Sequence, residues 1–506
     1  MGLIKTNMID SVISFLFRKH TLLCIGGAFL ILFGISLFNR YLGSDECWFG
    51  EQSYWLLHDG FVRIESMPGI LGLSERCYVY HKLFIFMGSA IIAVFGWSVT
   101  YFRIASLMFF LLFLSVFVSY MRKNKLLYNK KHIVLAVFLL VVNPMMAMKS
   151  FEFRPEIMLM ALGFISFYAL DNFKKHSGKM IWPIIGGLFA GMAFLTNMNG
   201  VAFCVAGFLF LLIAKEYKGL VVYTFTSLVV VSLFFFDLLG EGAWQSFTYQ
   251  LTKGVNDRIN DNVVGNSYGQ FIIDKIIRLG KEHERFFWSI KTMFFSALFF
   301  LALFSNFKKL KTKYGSMFLY LVLLILSNNI FGSHVAERYI VFYFPFMSLV
   351  IALFLTDIIK HKPMIIRTLA IILFVVQIGA SFFFISNIIS KNHDFVAEHE
   401  LVFEKIGSPE AKILGPWDLI YNGLEKHRLY SFKTYEYIDH INGDKMTQQQ
   451  FLAKAHKFKI DFIVLPESMK YDELKSWFAD WFVEDNPYYE EYYENEDFKI
   501  LAKKLK

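Results

Sequence analysis

The sequence lacks the short motifs by which many soluble enzymes hold nucleotides, metals or redox partners. It has four cysteines, none spaced as CxxC, so neither a zinc motif nor a redox motif is expected. No glycine-rich nucleotide loop, Walker pattern or strand-flanked Asp-x-Asp is present. These absences argue against a sugar-nucleotide donor bound in a cytosolic dinucleotide-type domain, and against transport driven by ATP.

Charge is also scarce, because only 18% of the 506 residues are charged while 56% are hydrophobic. The mean hydropathy of +0.46 is too high for an ordinary soluble protein. A net charge of +9 would favour a nucleic-acid partner in a soluble protein. Here the basic residues lie mainly in short loops between apolar runs, so we expect an integral membrane protein that binds membrane lipids and no nucleic acid.

Eleven apolar stretches are candidates for transmembrane helices. The first follows Arg18 and Lys19 and has no small-residue cleavage site, so we interpret it as a helix rather than a removed signal. We predict a polytopic α-helical membrane protein of about eleven spans, with twelve or thirteen left open, at 21–38, 103–121, 133–148, 156–171, 181–196, 200–214, 219–237, 287–306, 314–331, 338–356 and 365–387.

The segment 83–100 is apolar as well, and loop charge decides its interpretation. If it does not span and the N-terminus is cytoplasmic, five loops with 17 Lys and Arg and one acid all face the cytoplasm. That distribution satisfies the positive-inside rule, whereas a spanning 83–100 would put all five loops outside. We therefore predict that 83–100 lies in the outer interface, inside a first outer loop of 39–102.

The remaining outer segments predict surface helices and a soluble domain. The loop 238–286 carries balanced charge and is interpreted as short amphipathic helices on the membrane surface. After the transmembrane region of 1–390, the tail 391–506 alternates short strands with helices, which favours a small α/β domain outside the membrane. The predicted pieces are strands at Lys412–Gly415 and Ile460–Leu465, helices at Thr447–Lys457 and Asp472–Phe482, and a solvated surface loop at Tyr488–Glu496.

Two adjacent acids, Asp45 and Glu46, stand just past the outer end of the first predicted helix. A partly desolvated carboxylate suits a general base. In glycosyl transfer from a phosphate-linked sugar, such a base takes the proton of the acceptor hydroxyl. The alternative is that both acids are simply interfacial.

Cations on the outer side form the second group of candidates. A lipid-phosphate donor leaves behind a phosphate anion, which needs compensating charge. His334 and Arg338 are four residues apart and would share one helix face, while a salt bridge of Arg338 to Glu337 or Asp45 is the alternative. Arg103 could equally be a helix-end residue that snorkels to the interface. The candidates are Lys82, Arg103, Arg154, Arg285, His334 and Arg338.

Metal and disulfide chemistry have weaker signals. Glu282-His283-Glu284 offers metal ligands, but adjacent residues on a helix point to different faces, which favours a plain polar helix. Cys47 and Cys77 both lie in the outer loop, where a disulfide is permitted; two unpaired buried thiols are the alternative. No cofactor is certain, a divalent cation is left open, and the weak ligand candidates are Glu46 and His283.

Several stretches occur in an order that resembles one enzyme class. They are Asp45-Glu46, Gln52 to Gly60, His81-Lys82-Leu-Phe, Gly96 to Ser106, and His334 with Arg338, Tyr339 and Pro345. They resemble the GT-C class of polyprenyl-phosphate-dependent glycosyltransferases, in the branch of the protein O-mannosyltransferases and the lipid A aminoarabinose transferase. This chain departs from the family where His81-Lys82 lacks two following prolines, where Arg154-Pro-Glu156 precedes a span, and where Thr196-Asn197 replaces a Thr-Lys pair.

The resemblance implies inverting transfer of a sugar from a polyprenyl-phosphate donor to a lipid, glycan or protein acceptor outside the membrane. The implied setting is a bacterial inner membrane, with a cytoplasmic N-terminus and the C-terminal domain outside. Asp45 would be the base, and Glu46 would orient it or bind an ion. The donor phosphate would contact Lys82, Arg285, His334 and Arg338, with support from Tyr54, Arg103, Arg154, Glu156 and Tyr339.

A lipid or sugar transporter or flippase is the main alternative. Transporters tend to show internal repeats and polar residues near the bilayer midplane. No repeat is evident here, and the ionisable residues cluster at the predicted outer ends of the helices.

Overall fold

A computed structural model describes most of the chain, and the helices and strands below come from it. The described residues are 15–124, 129–175, 179–255, 268–331, 336–442, 446–466 and 486–504. The predicted helix Asp472–Phe482 lies outside them.

A helix matches each of the eleven predicted spans. The matching helices, with four neighbours that lie between them, are α1 Lys19–Ser36, α2 Ser44–Asp59, α3 Lys82–Phe95, α4 Val99–Lys123, α5 Lys130–Val141, α6 Pro144–Lys149, α7 Pro155–Lys175, α8 Ile181–Thr196, α9 Val201–Ile213, α10 Tyr217–Ser232, α11 Ala243–Gln250, α12 Tyr268–Phe287, α13 Ile290–Lys313, α14 Gly315–Phe331, α15 Phe344–Leu353 and α16 Met364–Ser390. Of these, α2, α3, α11 and α12 belong to predicted outer segments, and α6 continues the span begun by α5.

Six of the described helices are long and apolar enough, by length and composition, to cross a membrane, and five more are apolar but shorter. The predicted polytopic helical fold is confirmed. Eleven as the number of crossings stays a prediction. The helices α11 and α12 agree with the surface helices expected in the loop 238–286.

The doubtful segment 83–100 forms a short helix and then a break. Helix α3 has 14 residues, or about 21 Å of length, less than the hydrocarbon thickness of a bilayer. It ends at Gly96, whose φ of +89° suits glycine, and α4 restarts after the N-cap Ser98. Gly88 lets α3 lie directly against Ser53 of α2, where a Cβ atom would overlap the serine side chain. Helix α3 therefore serves as a support for α2.

The C-terminal domain is built on one mixed sheet. Its helices are α17 Phe395–Ile406, α18 Ile420–Gly423, α19 Lys433–Asn442 and α20 Gln448–Lys457, and its strands are β1 Lys412–Gly415, β2 Arg428–Ser431, β3 Phe462–Pro466, β4 Tyr489–Glu494 and β5 Phe498–Lys503. The strand order is β2-β1-β3-β5-β4. Strand β1 pairs in parallel with β2 and β3, and β5 pairs antiparallel with β3 and β4.

Two predictions for the outer side are wrong. The segment Tyr488–Glu496 is not a surface loop, because it contains the edge strand β4, whose side chains are mostly exposed and so leave no period-two burial signal. Cys47 and Cys77 form no disulfide; both are free, buried thiols. Each thiol lies 3.6 Å from a backbone carbonyl oxygen, that of Gly43 or of Val79.

The C-terminal domain is attached to the first outer loop through buried polar contacts. Trp417 donates its indole N–H to Glu51 Oε2 at 3.2 Å, and Tyr421 donates its hydroxyl to the Glu46 carbonyl at 2.7 Å. Glu51 also accepts a backbone hydrogen bond of 2.9 Å from Ser66. Because the two parts are in contact, the C-terminal domain lies on the same side of the membrane as the start of α2.

Candidate active site

The start of α2 places its two acids in different surroundings. Gly43 is the extended N-cap, and Asp45 and Glu46 occupy the first turn. Adjacent residues on a helix point about 100° apart. The Asp45 side chain is consequently 42% exposed, whereas Glu46 is 1% exposed.

Glu46 forms a closed ion pair with Arg103 of α4, which we name the inner pair. Arg103 donates from Nε to Oε1 at 2.8 Å and from Nη2 to Oε2 at 2.7 Å. The backbone N–H groups of Gly43 and Phe153 donate to the same carboxylate at 3.1 and 3.0 Å. Burial works to raise the pKa of the Glu46 carboxyl, but Arg103 and these bonds hold the pKa below its usual value.

The inner pair also fixes the backbone that leads into α2. Arg103 donates to the carbonyl oxygens of Arg40 and Tyr41 at 2.8 and 2.9 Å. With these bonds, the arginine ties the start of α4 to the segment between α1 and α2. The geometry suits a positioning residue, because both Glu46 oxygens are already occupied.

Asp45 belongs to a second arrangement, which we name the outer network: Asp45, Arg154, Glu156 and Arg338. Arg154 contacts Asp45 Oδ2 through Nη1 and donates to Glu156 from Nη2 at 3.1 Å and from Nε at 3.2 Å. Glu156 Oε1 also lies 3.2 Å from Arg338 Nε. Two carboxylates thus alternate with two guanidinium groups.

The outer network is open to solvent at both ends. Arg338 is 34% exposed at one end, and Asp45 is partly exposed at the other. Burial disfavours the charge of Arg154, but Glu156 and Asp45 outweigh it and raise the pKa of the guanidinium. A charged Arg154 is therefore held between the two acids, and its contact with Asp45 uses one carboxylate oxygen only.

His81 completes the surroundings of the outer network, although the sequence did not single it out as a site residue. Its ring packs on Phe49 at a centroid distance of 5.2 Å, and its Nε2 lies 3.4 Å from the amide nitrogen of Asn197. Burial is the main cause that lowers the pKa of His81 to about 4, against the opposing charges of Glu156 and Asp45. A neutral imidazole that accepts from Asn197 at Nε2 fits this contact.

Lys82 forms an ion pair with Asp237, outside the outer network. Its Nζ lies 2.6 and 2.8 Å from the two carboxylate oxygens of Asp237, and it donates to the Tyr78 carbonyl at 3.2 Å. The ammonium group also sits 3.7 Å from the centre of the Tyr80 ring. Lys82 is thus already neutralised by a carboxylate.

Arg285 is the centre of a buried polar cluster. Its Nη1 donates to the Tyr343 hydroxyl at 3.2 Å, and its Nε lies 3.3 Å from Glu282 Oε1. Asn328 donates to the same hydroxyl at 2.7 Å, and Asn329 donates to Glu282 Oε2 at 3.3 Å. Within the described part of the chain, Nη2 of Arg285 has no hydrogen-bond partner.

The other candidates lie at the edges of these groups. Tyr339 is buried, and the Arg338 guanidinium lies 5.3 Å from the centre of its ring. Tyr54 stacks on His58 at 4.0 Å, in the second half of α2. His283 lies on the exposed side of α12, opposite the buried Glu282. His334 falls in 332–335, outside the described residues.

No metal-binding group of three or more His, Cys, Asp or Glu side chains occurs among the residues that the structure describes. Of the two weak ligand candidates, Glu46 is occupied by Arg103, and His283 donates from Nδ1 to the Gly280 carbonyl at 2.7 Å. Asp45 and Glu156, the carboxylates of the outer network, both contact Arg154.

Comparison with known proteins shows the fold. No protein-family model matches the sequence, and no curated protein matches it. The structure is similar to ArnT from Cupriavidus metallidurans bound to undecaprenyl phosphate, with a TM-score of 0.60 and 11% identity over 96% of this chain and 98% of that one.

A second similar structure is the oligosaccharyltransferase of Archaeoglobus fulgidus. In its complex with Zn and sulfate, the TM-score is 0.52, with 12% identity over 94% of this chain and 73% of that one. The same archaeal protein, AglB, solved with an inhibitory peptide and a dolichol-phosphate, gives a TM-score of 0.50 and 12% identity over 96% and 75%. The fold is therefore the GT-C fold that the sequence resemblance predicted.

Proposed function

We propose that this chain is a glycosyltransferase that moves a sugar from a polyprenyl-phosphate donor to an acceptor on the side of the membrane that holds its C-terminal domain. The observation that carries the proposal is the outer network, in which Arg154 and Glu156 connect the partly exposed carboxylate of Asp45 to the partly exposed guanidinium of Arg338. The shared fold supports the donor class, since ArnT was solved with undecaprenyl phosphate and AglB with a dolichol-phosphate.

The proposed reaction is a single inverting displacement. Asp45 takes the proton of the acceptor hydroxyl as that oxygen forms a bond to the anomeric carbon of the sugar. The bond from that carbon to the donor phosphate oxygen breaks on the opposite face. Polyprenyl phosphate leaves with its negative charge, and the sugar is joined to the acceptor with inverted configuration.

Asp45 suits the base because its contacts leave half of the carboxylate available. Arg154 uses Nε and Nη2 for Glu156 and reaches Asp45 at Oδ2 through Nη1 alone. The other oxygen, Oδ1, can then receive the acceptor hydroxyl. Glu46 has no such opening, so we assign it, with Arg103, to positioning the start of α2.

Arg338 is the proposed main contact of the donor phosphate. A guanidinium offers a planar fork that matches phosphate oxygens, and Arg338 is exposed and held by Glu156 beside Tyr339. His334, four residues earlier, is proposed to assist. Lys82 and Arg285 are weaker candidates because they are 11% and 0% exposed and each faces a carboxylate, Asp237 or Glu282. Arg338 is more exposed and shares Glu156 with Arg154.

The test is a transfer assay on the purified full-length chain with polyprenyl-phosphate sugars. Asp45→Asn should lower the rate by about 10²- to 10⁴-fold, the usual effect of a removed general base, without loss of folded protein. Asp59→Asn is the matched control, because Asp59 is on the same helix and is also paired with an arginine, Arg63, at 2.6 Å. The control should retain normal turnover.

Near wild-type turnover of Asp45→Asn would exclude Asp45 as the base. No transfer by the wild-type chain would instead favour the transporter alternative. The same assay with a chelator decides whether a divalent cation is needed beside the charge that Arg154 already supplies. The acceptor class, whether lipid, glycan or protein, is decided by which product carries the label.

The proposed orientation is that of a bacterial inner-membrane protein with a cytoplasmic N-terminus. It is supported by the 17 basic residues of the five predicted cytoplasmic loops. A reporter fused after the last residue should be active only outside the cytoplasm. Cytoplasmic activity of that reporter would mean that the proposed orientation is reversed, because the C-terminal domain and the start of α2 lie on the same side of the membrane.

A further inference from the structure

A basic cleft lies at the end of α1 that is remote from the candidate active site. Its cationic side chains are Arg18, Lys19, Lys130 and Lys131, at the starts of α1 and α5, and its volume is about 360 Å³. Helix α1 has 18 residues, so it separates this cleft from the residues that lead into α2 by about 27 Å. That length is close to the hydrocarbon thickness of a bilayer.

The walls of the basic cleft are apolar. Leu22 of α1, Leu135 of α5 and Leu355 after α15 line it below the four cations. The described residues that line the cleft include no carboxylate. The cleft therefore combines four positive charges with apolar walls.

We propose that the basic cleft binds an anionic phospholipid of the membrane leaflet opposite the candidate active site. Each lysine or arginine near a membrane surface strengthens the attraction of anionic lipid. The starts of two helices add partial positive charge that favours a phosphate group. The apolar walls provide a matching surface for the upper part of the acyl chains.

The chain's own N-terminal segment fits the cleft less well than a lipid does. Residues 1–14 contain one lysine and one aspartate and so carry no net negative side-chain charge. A soluble phosphate would leave the apolar walls uncovered. An anionic diacyl lipid complements both parts of the cleft, and this assignment is independent of the transferase proposed above.

Native mass spectrometry of the delipidated full-length chain in detergent tests the assignment. Titration with phosphatidylglycerol should give tighter binding than titration with phosphatidylcholine. The double variant Lys130→Gln/Lys131→Gln should weaken phosphatidylglycerol binding roughly tenfold or more, given the contribution of each lysine, and leave phosphatidylcholine unchanged. Arg18→Gln/Lys19→Gln removes the two cations of the other wall and should weaken phosphatidylglycerol binding to a similar extent. It serves as the test if the first double variant fails to fold.

Lys308→Gln/Lys309→Gln is the matched control, since it removes the same charge from exposed residues of α13 that do not line the cleft. Its phosphatidylglycerol binding should equal that of the wild type. An equal loss in the control and in the cleft variants would overturn the proposal, as would equal affinity for the two phospholipids. Polyprenyl phosphate that displaces phosphatidylglycerol at equal concentration would also overturn it, because the occupant would then be the donor lipid.

Discussion

The inner pair and the outer network use the same chemistry for opposite purposes. Both join a carboxylate in the first turn of α2 to an arginine, and their acids are adjacent in the chain. Both oxygens of Glu46 accept from buried donors, whereas the Asp45 side chain is 42% exposed and shares its arginine with Glu156. A carboxylate whose two oxygens both accept hydrogen bonds within the protein holds the structure in place. A carboxylate that is paired on one oxygen only can still accept a proton from a substrate.

Breaking the inner pair should have the largest effect on stability. Glu46→Gln leaves Arg103 buried with no opposing charge, which typically costs about 3–5 kcal/mol. Thermal unfolding in detergent should show a markedly lower midpoint and a reduced yield of folded protein. Asp45→Asn should leave the midpoint almost unchanged, because Asp45 is partly exposed.

Equal losses of stability in Glu46→Gln and Asp45→Asn would erase the distinction between the two arrangements. So would a stable Glu46→Gln protein that has lost transfer activity, since Glu46 would then take part in the chemistry rather than position it.

A smaller effect is expected at the exposed end of the outer network. Arg338→Lys keeps the charge but loses the planar fork, so the apparent donor affinity or rate should fall by roughly tenfold. Stability should change little, because the Arg338 side chain is 34% exposed. Donor titration measures the first effect and thermal unfolding the second.

Arg63→Lys is the control for that substitution. Arg63 is also partly exposed and salt-bridged, to Asp59, but lies at the other end of α2. An unchanged donor affinity and rate in Arg338→Lys would exclude Arg338. Arg285, whose Nη2 has no hydrogen-bond partner among the described residues, would then be the better phosphate ligand.

The sequence predicted the helical architecture well because its signal is local. Apolar length marked the long helices, while the placement of α3 in the outer interface depends on loop charge and stays a prediction. Strand β4 was missed because an edge strand with exposed acids and tyrosines has the composition of a surface loop. Likewise, the spacing of Cys47 and Cys77 in one loop could not show that their thiols face separate backbone carbonyls.

The site was predicted less completely because its pairings are distant in the chain. Lys82 and Asp237 are 155 positions apart, and nothing in the sequence marks Asp237 as the partner. The roles of Asp45 and Glu46 depend on which of them turns inward, and that follows from the placement of Arg103 and Arg154. The position of His81 next to Lys82 can be read from the sequence. Its contact with Asn197 cannot be predicted from the sequence, because the two residues are far apart in the chain.

The most direct test of the central claim is a structure of the full-length protein with a bound polyprenyl phosphate. The outer network predicts that the phosphate lies against Arg338, with Asp45 facing the space where the sugar would be attached. A phosphate bound instead at Arg285 or Lys82, out of reach of Asp45, would contradict the claim that the outer network is the catalytic centre.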